Sequence, residues 1–178
     1  MTLGCIPHGN SFAHGYVGLF WASYIHQPES FDIHFQGHGV DEVPDRTRWI
    51  RGTTQAHGKL STHLAKDDQR VFLYDEDFPL SLVFNRSNHR FSDPWYFGVS
   101  YEMAFMMIFR PQDQIRISQP PSGGGRGNPV WDFQMFIPGD EPRRCYQMLM
   151  RALDAPFQSV QQIEQLIRSH RKALGHNR

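Results

Sequence analysis

The sequence is poor in cysteine and has no excess of either charge. Its 178 residues include two cysteines, 18 Lys plus Arg and 18 Asp plus Glu. Cys5 and Cys145 are far apart and form no CxxC motif, so their spacing predicts neither a disulfide framework nor a zinc knuckle. A chain without net charge exerts no long-range attraction on a nucleic-acid backbone or an anionic membrane. We therefore predict neither partner.

Long apolar runs and targeting signals are also missing. The densest apolar run, Tyr101 to Phe109, contains Glu102 and is well short of the ~20 residues that span a bilayer. The N-terminus lacks the basic start and apolar stretch of a secretory signal. These absences predict a cytoplasmic protein without a membrane span. No cofactor is predicted either, and the oligomeric state stays open.

What the sequence does contain is a β-strand pattern, because apolar residues recur with a period of two between residues 31 and 153. The longest example begins at Phe97, where every odd position up to Phe109 is apolar or aromatic. This alternation predicts one long buried face. The predicted strands cover residues 31–36, 71–74, 80–84, 97–109, 114–118, 131–137 and 145–153. The acidic stretches 67–68 and 75–77 are predicted to be solvated turns.

Only the last segment, residues 157–174, has the pattern of a helix. Ser159 and Gln162 form an S-x-x-Q capping box, and apolar residues from Ile163 onward fall on one stripe. Gly175 stands where a left-handed residue ends a helix. Residues 1–15, in contrast, are predicted to be a polar loop.

These elements predict an antiparallel β-sandwich with a C-terminal amphipathic helix. Residues 1–178 are interpreted as a single domain. The loop-like opening also fits the C-terminal part of a larger protein.

Histidine is abundant, with ten residues clustered mainly in the first half of the chain. It is the commonest metal ligand and titrates near neutral pH, so a metal site is one hypothesis. The spacings match no metal-binding template, however, and His34 and His38 flank a glycine turn rather than lying on a helix. Ordinary loop histidines are favoured, and no metal ligand is assigned. Four histidines are kept as candidate ligand contacts: His8, His14, His57 and His63.

The glycine-rich segment 122–127 could bind an anion through its backbone N–H groups, with Arg126 adding charge. A phosphate loop of the nucleotide-binding kind requires a helix after the loop, whereas a strand is predicted here. A plain inter-strand connection is therefore favoured.

The polar alternate face of the predicted sheet is the most informative feature. If the apolar residues face the core, carboxylates, amides and an arginine face the other way, and a concave face of this kind suits carbohydrate binding. The competing interpretation is a plain solvated sheet face. The predicted face comprises Asp32, His34, Gln36, Ser100, Glu102, Arg116, Ser118, Asp132 and Gln134. Its candidate acid–base groups are Glu102, Asp132 and His34, and the candidate ligand contacts are Trp95, Tyr96, Arg126, Trp131 and Gln134.

Several segments resemble a group of uncharacterised bacterial proteins associated with β-supersandwich domains of the galactose-mutarotase-like type. The resemblance lies in residues 7–12, 24–28, 95–98, 121–125 and 128–134. It implies a related fold and, by analogy, a carbohydrate-related role. The acid–base pair of sugar-epimerising members aligns with no motif here, so no catalytic residue is transferred.

Three functions follow as hypotheses. The first is a carbohydrate-binding domain, with catalysis by a carboxylate or histidine left undecided. The second is a non-catalytic protein-interaction or structural module. The third is a histidine-based metal site.

Overall fold

The structure, a computed structural model, describes residues 1–9, 12–43, 46–53, 60–75, 85–119 and 127–175. This part of the chain is mainly β, as predicted, with one C-terminal helix. Its strands are β1 (Thr2–Cys5), β2 (Tyr16–Trp21), β3 (Ile33–Gly39), β4 (Arg48–Gly52), β5 (Thr62–Ala65), β6 (Arg86–Phe91), β7 (Trp95–Ser100), β8 (Met103–Phe109), β9 (Arg116–Ser118), β10 (Asp132–Pro138) and β11 (Tyr146–Pro156). The helix is α1 (Val160–Ala173), and a short 3-10 helix covers Pro111–Asp113.

The described strands form one sheet that curls into a half-barrel. Their order is β1-β11-β8-β7-β3-β6-β5-β9-β10-β2, with β4 paired to β3 beside this path. The sheet is mixed because β5 and β6 are parallel, whereas the other paired strands are antiparallel. Strands β1 and β2 therefore form the two ends of the path.

The concave side of the half-barrel is filled by apolar side chains that alternate along the strands. Fully buried members come from many strands and include Phe35, Tyr96, Trp131 and Phe133. A Cβ at Gly98 would lie 2.2 Å from the Trp131 ring, so only glycine lets this indole pack against β7. The large rings thus make the concave side an apolar core.

The predicted long strand 97–109 is wrong in one respect, because the chain reverses at Tyr101 and Glu102. Both residues have positive φ angles, 49° and 61°, as in the type I′ turn that joins hairpin strands. The turn pairs Val99 with Ala104, so odd positions on β7 share a face with even positions on β8. The uniform apolar alternation therefore covers both faces of a hairpin.

Two other predictions are corrected. Residues 71–74 form no strand; Phe72 instead packs on Tyr16 and Phe136. The predicted opening loop contains β1, whose partner is β11. The predicted strand 80–84 lies outside the described residues.

Helix α1 confirms the capping prediction, since the Ser159 side chain accepts a hydrogen bond from the Gln162 backbone N–H at 3.2 Å. Gly175 has the expected positive φ. Ile163 and Ile167 are buried with Met106 and other residues on the sheet face opposite the concave core. No helix in the described ranges is long and apolar enough to cross a membrane.

Candidate functional site

The polar alternate positions face the convex side of the sheet on β9 and β10, because the concave side is apolar. Asp132 pairs with Ser118, and Gln134 pairs with Arg116, across the antiparallel β9–β10 ladder. Directly opposed residues place their side chains on the same face. These four residues therefore form a continuous row, which we call the polar strip.

The polar strip is buried. Ser118, Asp132 and Arg116 have no exposed surface, and Gln134 is 1% exposed. The prediction of a concave polar face is therefore wrong, since the concave side holds the rings of the core. The predicted residues Asp132 and Gln134 are nevertheless neighbours on one face.

Five buried atoms of the strip have no hydrogen-bond partner among the residues that the structure describes. They are Arg116 Nη1, Ser118 Oγ, Asp132 Oδ2 and both amide atoms of Gln134. More than 90% of buried polar groups in proteins are hydrogen-bonded, and each unsatisfied group costs roughly 1–3 kcal/mol. Folding stability does not explain why five unpartnered donor and acceptor atoms lie in one row, since each of them lowers it.

Asp132 is the strip residue with the most altered acid–base chemistry. Burial raises the pKa of its carboxyl group to about 8, and a hydrogen bond from Ser23 N–H to Oδ1 at 2.9 Å offsets this only in part. At neutral pH the carboxyl group is therefore mostly protonated, so it can donate as well as accept a hydrogen bond.

Arg116 connects the strip to an ion-pair network. Its Nε donates to Asp68 at 3.0 Å, and Arg70 binds the same carboxylate through Nε and Nη2, also at 3.0 Å. Burial alone would raise the pKa of Asp68, but hydrogen bonds from Arg70 and Arg116 outweigh it and lower the pKa to about 2. The predicted solvated turn at 67–68 is thus wrong for Asp68, which is buried.

Exposed aromatic side chains lie on edge strand β2 and just after it, and Phe20 is the one on the face of the strip. Phe20 pairs with Gln134 across the β2–β10 ladder and is 43% exposed. Trp21 donates through Nε1 to Ser23 Oγ at 3.2 Å, and Ser23 N–H is the donor to Asp132. Tyr24 follows and is also exposed.

No protein-family model, curated protein or solved structure matches this chain. The function of the polar strip therefore has to be inferred from its own chemistry.

The other two acid–base candidates do not join Asp132. His34 stacks on Phe97 at a ring-centroid distance of 5.0 Å, on the helix side of the sheet, and burial lowers its pKa. Glu102 is exposed in the β7–β8 turn. No hydrogen bond or ion pair of the described residues links either side chain to Asp132.

The aromatic candidates are structural rather than exposed. Trp95 packs beside Trp49 in the cluster under α1. Trp131 lies in the concave core and donates to the Phe31 carbonyl oxygen at 3.3 Å. Tyr96 is also in this core, and its hydroxyl donates to Met107 Sδ at 3.0 Å. We expect all three to support the sheet.

The candidate histidines are dispersed. His8 is exposed, and His14 lies 3.0 Å from Asp75. His63 is buried beside Phe35, and this burial lowers its pKa to about 3. His57 and Arg126 lie outside the described residues. Within the described ranges, no three His, Cys, Asp or Glu side chains form a group that could hold a metal ion.

An open cleft of about 610 Å³ lies next to the ion-pair network. Phe91 and Ile115 contribute apolar surface, while Lys66 and Arg171 are among its charged residues. Asp68 and Arg70 belong to both the cleft and the network. None of the predicted site residues lines this cleft.

Sequence reasoning missed Asp68, Arg70 and Phe20 as neighbours of the site. Period-two alternation assigns a face to Phe20, but only the β2–β10 pairing places it beside Gln134. Asp68 and Arg70 come from a turn that folds over the sheet. The signal available in the sequence was the spacing of Asp68 and Arg70, an acid and an arginine two positions apart. Such pairs are common in exposed turns, so the spacing did not indicate a buried network.

Proposed function

We propose that this chain binds a carbohydrate or closely related polyhydroxyl compound at the polar strip. The observation that carries the proposal is the row of five buried, unpartnered polar atoms on β9 and β10. Sugar hydroxyls both donate and accept hydrogen bonds. A ligand of this class would supply the partners that the described protein groups lack. The strip has almost no exposed surface in this structure, so binding requires the side chains that cover it to move aside.

The mixture of groups supports a hydroxyl-rich ligand. Gln134 offers an amide donor and acceptor, Ser118 a hydroxyl, and Asp132 a carboxyl group that is mostly protonated at neutral pH. Neutral donors and acceptors suit hydroxyl groups without requiring a charged partner at each position.

The exposed edge next to the strip supports the same class. Phe20 is partly exposed beside Gln134, and aromatic faces pack against the apolar C–H surface of a sugar ring. The resemblance to galactose-mutarotase-like domains points to carbohydrate by analogy of fold alone. The strip contains one carboxyl group, that of Asp132, which is sufficient for binding. Catalysis would require a second acid–base group, so we propose binding only.

The first prediction tests this site with Gln134→Leu. Wild type and variant are titrated by calorimetry with galactose, glucose, mannose, their uronates and their 6-sulfates. We expect wild type to bind at least one, and Gln134→Leu to bind it about tenfold more weakly or worse, because the amide hydrogen bonds are lost.

Gln147→Leu, at an exposed position on β11, is the matched control and should bind like wild type. If no member of the panel binds wild type, or if Gln134→Leu binds as wild type does, the proposal is wrong.

A second candidate function is a protein-interaction module. Edge strand β2 and the segment after it carry Phe20, Trp21 and Tyr24 with 39–59% of their surfaces exposed. Edge strands can pair with a further strand. This function predicts that Tyr24→Ser abolishes partner association and leaves sugar binding unchanged.

A further inference from the structure

Arg116 is fully buried, and one of its three guanidinium nitrogens has no hydrogen-bond partner among the described residues. Its Nε donates to Asp68 and its Nη2 donates to the Arg70 carbonyl oxygen at 3.1 Å. Nη1 is buried and has no partner in the described part of the chain. Guanidinium groups recognise carboxylate, phosphate and sulfate through directional N–H donors of this kind.

The charges around this donor do not balance within the described residues. Arg70 and Arg116 share one carboxylate, that of Asp68. The next acid on the strip, Asp132, is mostly uncharged at neutral pH. Two guanidinium groups, one of them partly exposed at the cleft, therefore share one carboxylate, which leaves one positive charge in excess at the network within the described residues.

An excess buried charge is costly unless it is paired. Phe72 and Phe136 reduce the cost, since their ring centroids lie 4.9 and 5.1 Å from the Arg116 guanidinium carbon. A cation–π contact is attraction to a ring face. It supplies no acceptor to Nη1.

The position of Arg116 links this donor to the proposed ligand. Gln134 is its direct partner across the ladder, and Ser118 follows two residues along β9 on the same face. An anion bound at Nη1 would therefore lie next to the hydroxyl and amide groups of the strip.

Resting on the proposed function, we propose that the carbohydrate bound at the polar strip is acidic, and that its carboxylate or sulfate group accepts a hydrogen bond from Arg116 Nη1. The anionic group neutralises the excess positive charge of the Arg116–Asp68–Arg70 network. The sugar hydroxyls bind Ser118, Asp132 and Gln134.

The test compares matched sugars that differ in one group. Galactose, galacturonate and galactose 6-sulfate, with the corresponding glucose and mannose sets, are titrated into wild type at low ionic strength. We expect an acidic member to bind at least about tenfold more tightly than its neutral counterpart, as a charge-assisted hydrogen bond would produce. A uronate preference identifies carboxylate as the ligand group, and a 6-sulfate preference identifies sulfate.

Two variants separate charge from geometry. Arg70→Met removes the excess positive charge without touching Arg116, and Arg116→Lys keeps the charge while losing Nη1. Both should reduce the acidic preference, and Arg70→Met, which lies outside the strip, should leave the binding of the neutral sugar unchanged. Arg144→Met, which alters an exposed ion pair, should retain the preference. Circular dichroism establishes that each variant is folded.

Equal affinity for neutral and acidic sugars in wild type would overturn this inference and leave the proposed function standing. Retention of the full preference in folded Arg70→Met and Arg116→Lys would also overturn it. Failure of every sugar to bind would instead contradict the proposed function.

Discussion

The carboxyl group of Asp132 has too few partners to stay ionised in its buried position. Among the described residues its side chain accepts a hydrogen bond from Ser23 N–H, and burial raises its pKa from 3.8 to about 8. The folded state therefore holds this proton more tightly than the unfolded state. The associated stability is complete below the unfolded pKa and is lost as pH rises through 8.

The second prediction follows for Asp132→Asn, which removes the ionisation and keeps an acceptor for Ser23. Wild type should lose a few kcal/mol of unfolding free energy between about pH 4 and pH 8 that the variant retains. Denaturant unfolding at a series of pH values measures this. The control, Asp154→Asn at an exposed site, should follow wild type. Identical pH profiles for Asp132→Asn and wild type would contradict the assignment.

At the scale of elements, the β7–β8 hairpin places non-glycine residues at both left-handed turn positions. Type I′ turns favour Asn-Gly, whereas this chain has Tyr101 and Glu102. Their backbones are held by other contacts: Glu29 Oε2 accepts from Tyr101 N–H at 2.8 Å, and Phe157 N–H donates to the Glu102 carbonyl at 2.7 Å. Tertiary contacts thus fix a turn that the local sequence does not favour.

The third prediction is that Glu102→Gly stabilises the protein by roughly 1 kcal/mol, because glycine adopts a positive φ without a Cβ penalty. Thermal or denaturant unfolding measures this. Glu102→Ala removes the same carboxylate but keeps the Cβ, so it should give no comparable gain. Sugar binding should be unchanged in both variants. Loss of sugar binding in either variant would show that Glu102 contributes to the binding site.

The same turn shows where sequence reasoning succeeds and where it stops. Alternation located β3, β9, β10 and β11 and the merged β7–β8 segment, and it placed Asp132 and Gln134 on one face, because the period of a strand is a local property. It missed β1, β2, β4, β5 and β6. The alternation could not reveal that the chain reverses at Tyr101, since apolar residues continue on both sides of this residue. Burial of the strip was also hidden, because it depends on tertiary packing that local periodicity does not encode.

At the scale of the whole molecule, the neutral net charge of the chain hides a local imbalance. The half-barrel encloses an apolar core on its concave side, and its convex side buries the polar strip and the Arg116–Asp68–Arg70 network. Unpartnered groups reduce folding stability. A molecule that retains them for binding should become more stable when they are removed.

The most direct test of this account is the unfolding free energy of Gln134→Leu, measured with denaturant without sugar and paired with its binding affinity. We predict a gain of about 1–3 kcal/mol, because leucine has no buried donor or acceptor to satisfy, together with loss of sugar binding. Gln147→Leu should change stability by less than about 0.5 kcal/mol. A Gln134→Leu variant that is less stable than wild type and still binds sugar would contradict the account, because the amide would then be a structural group.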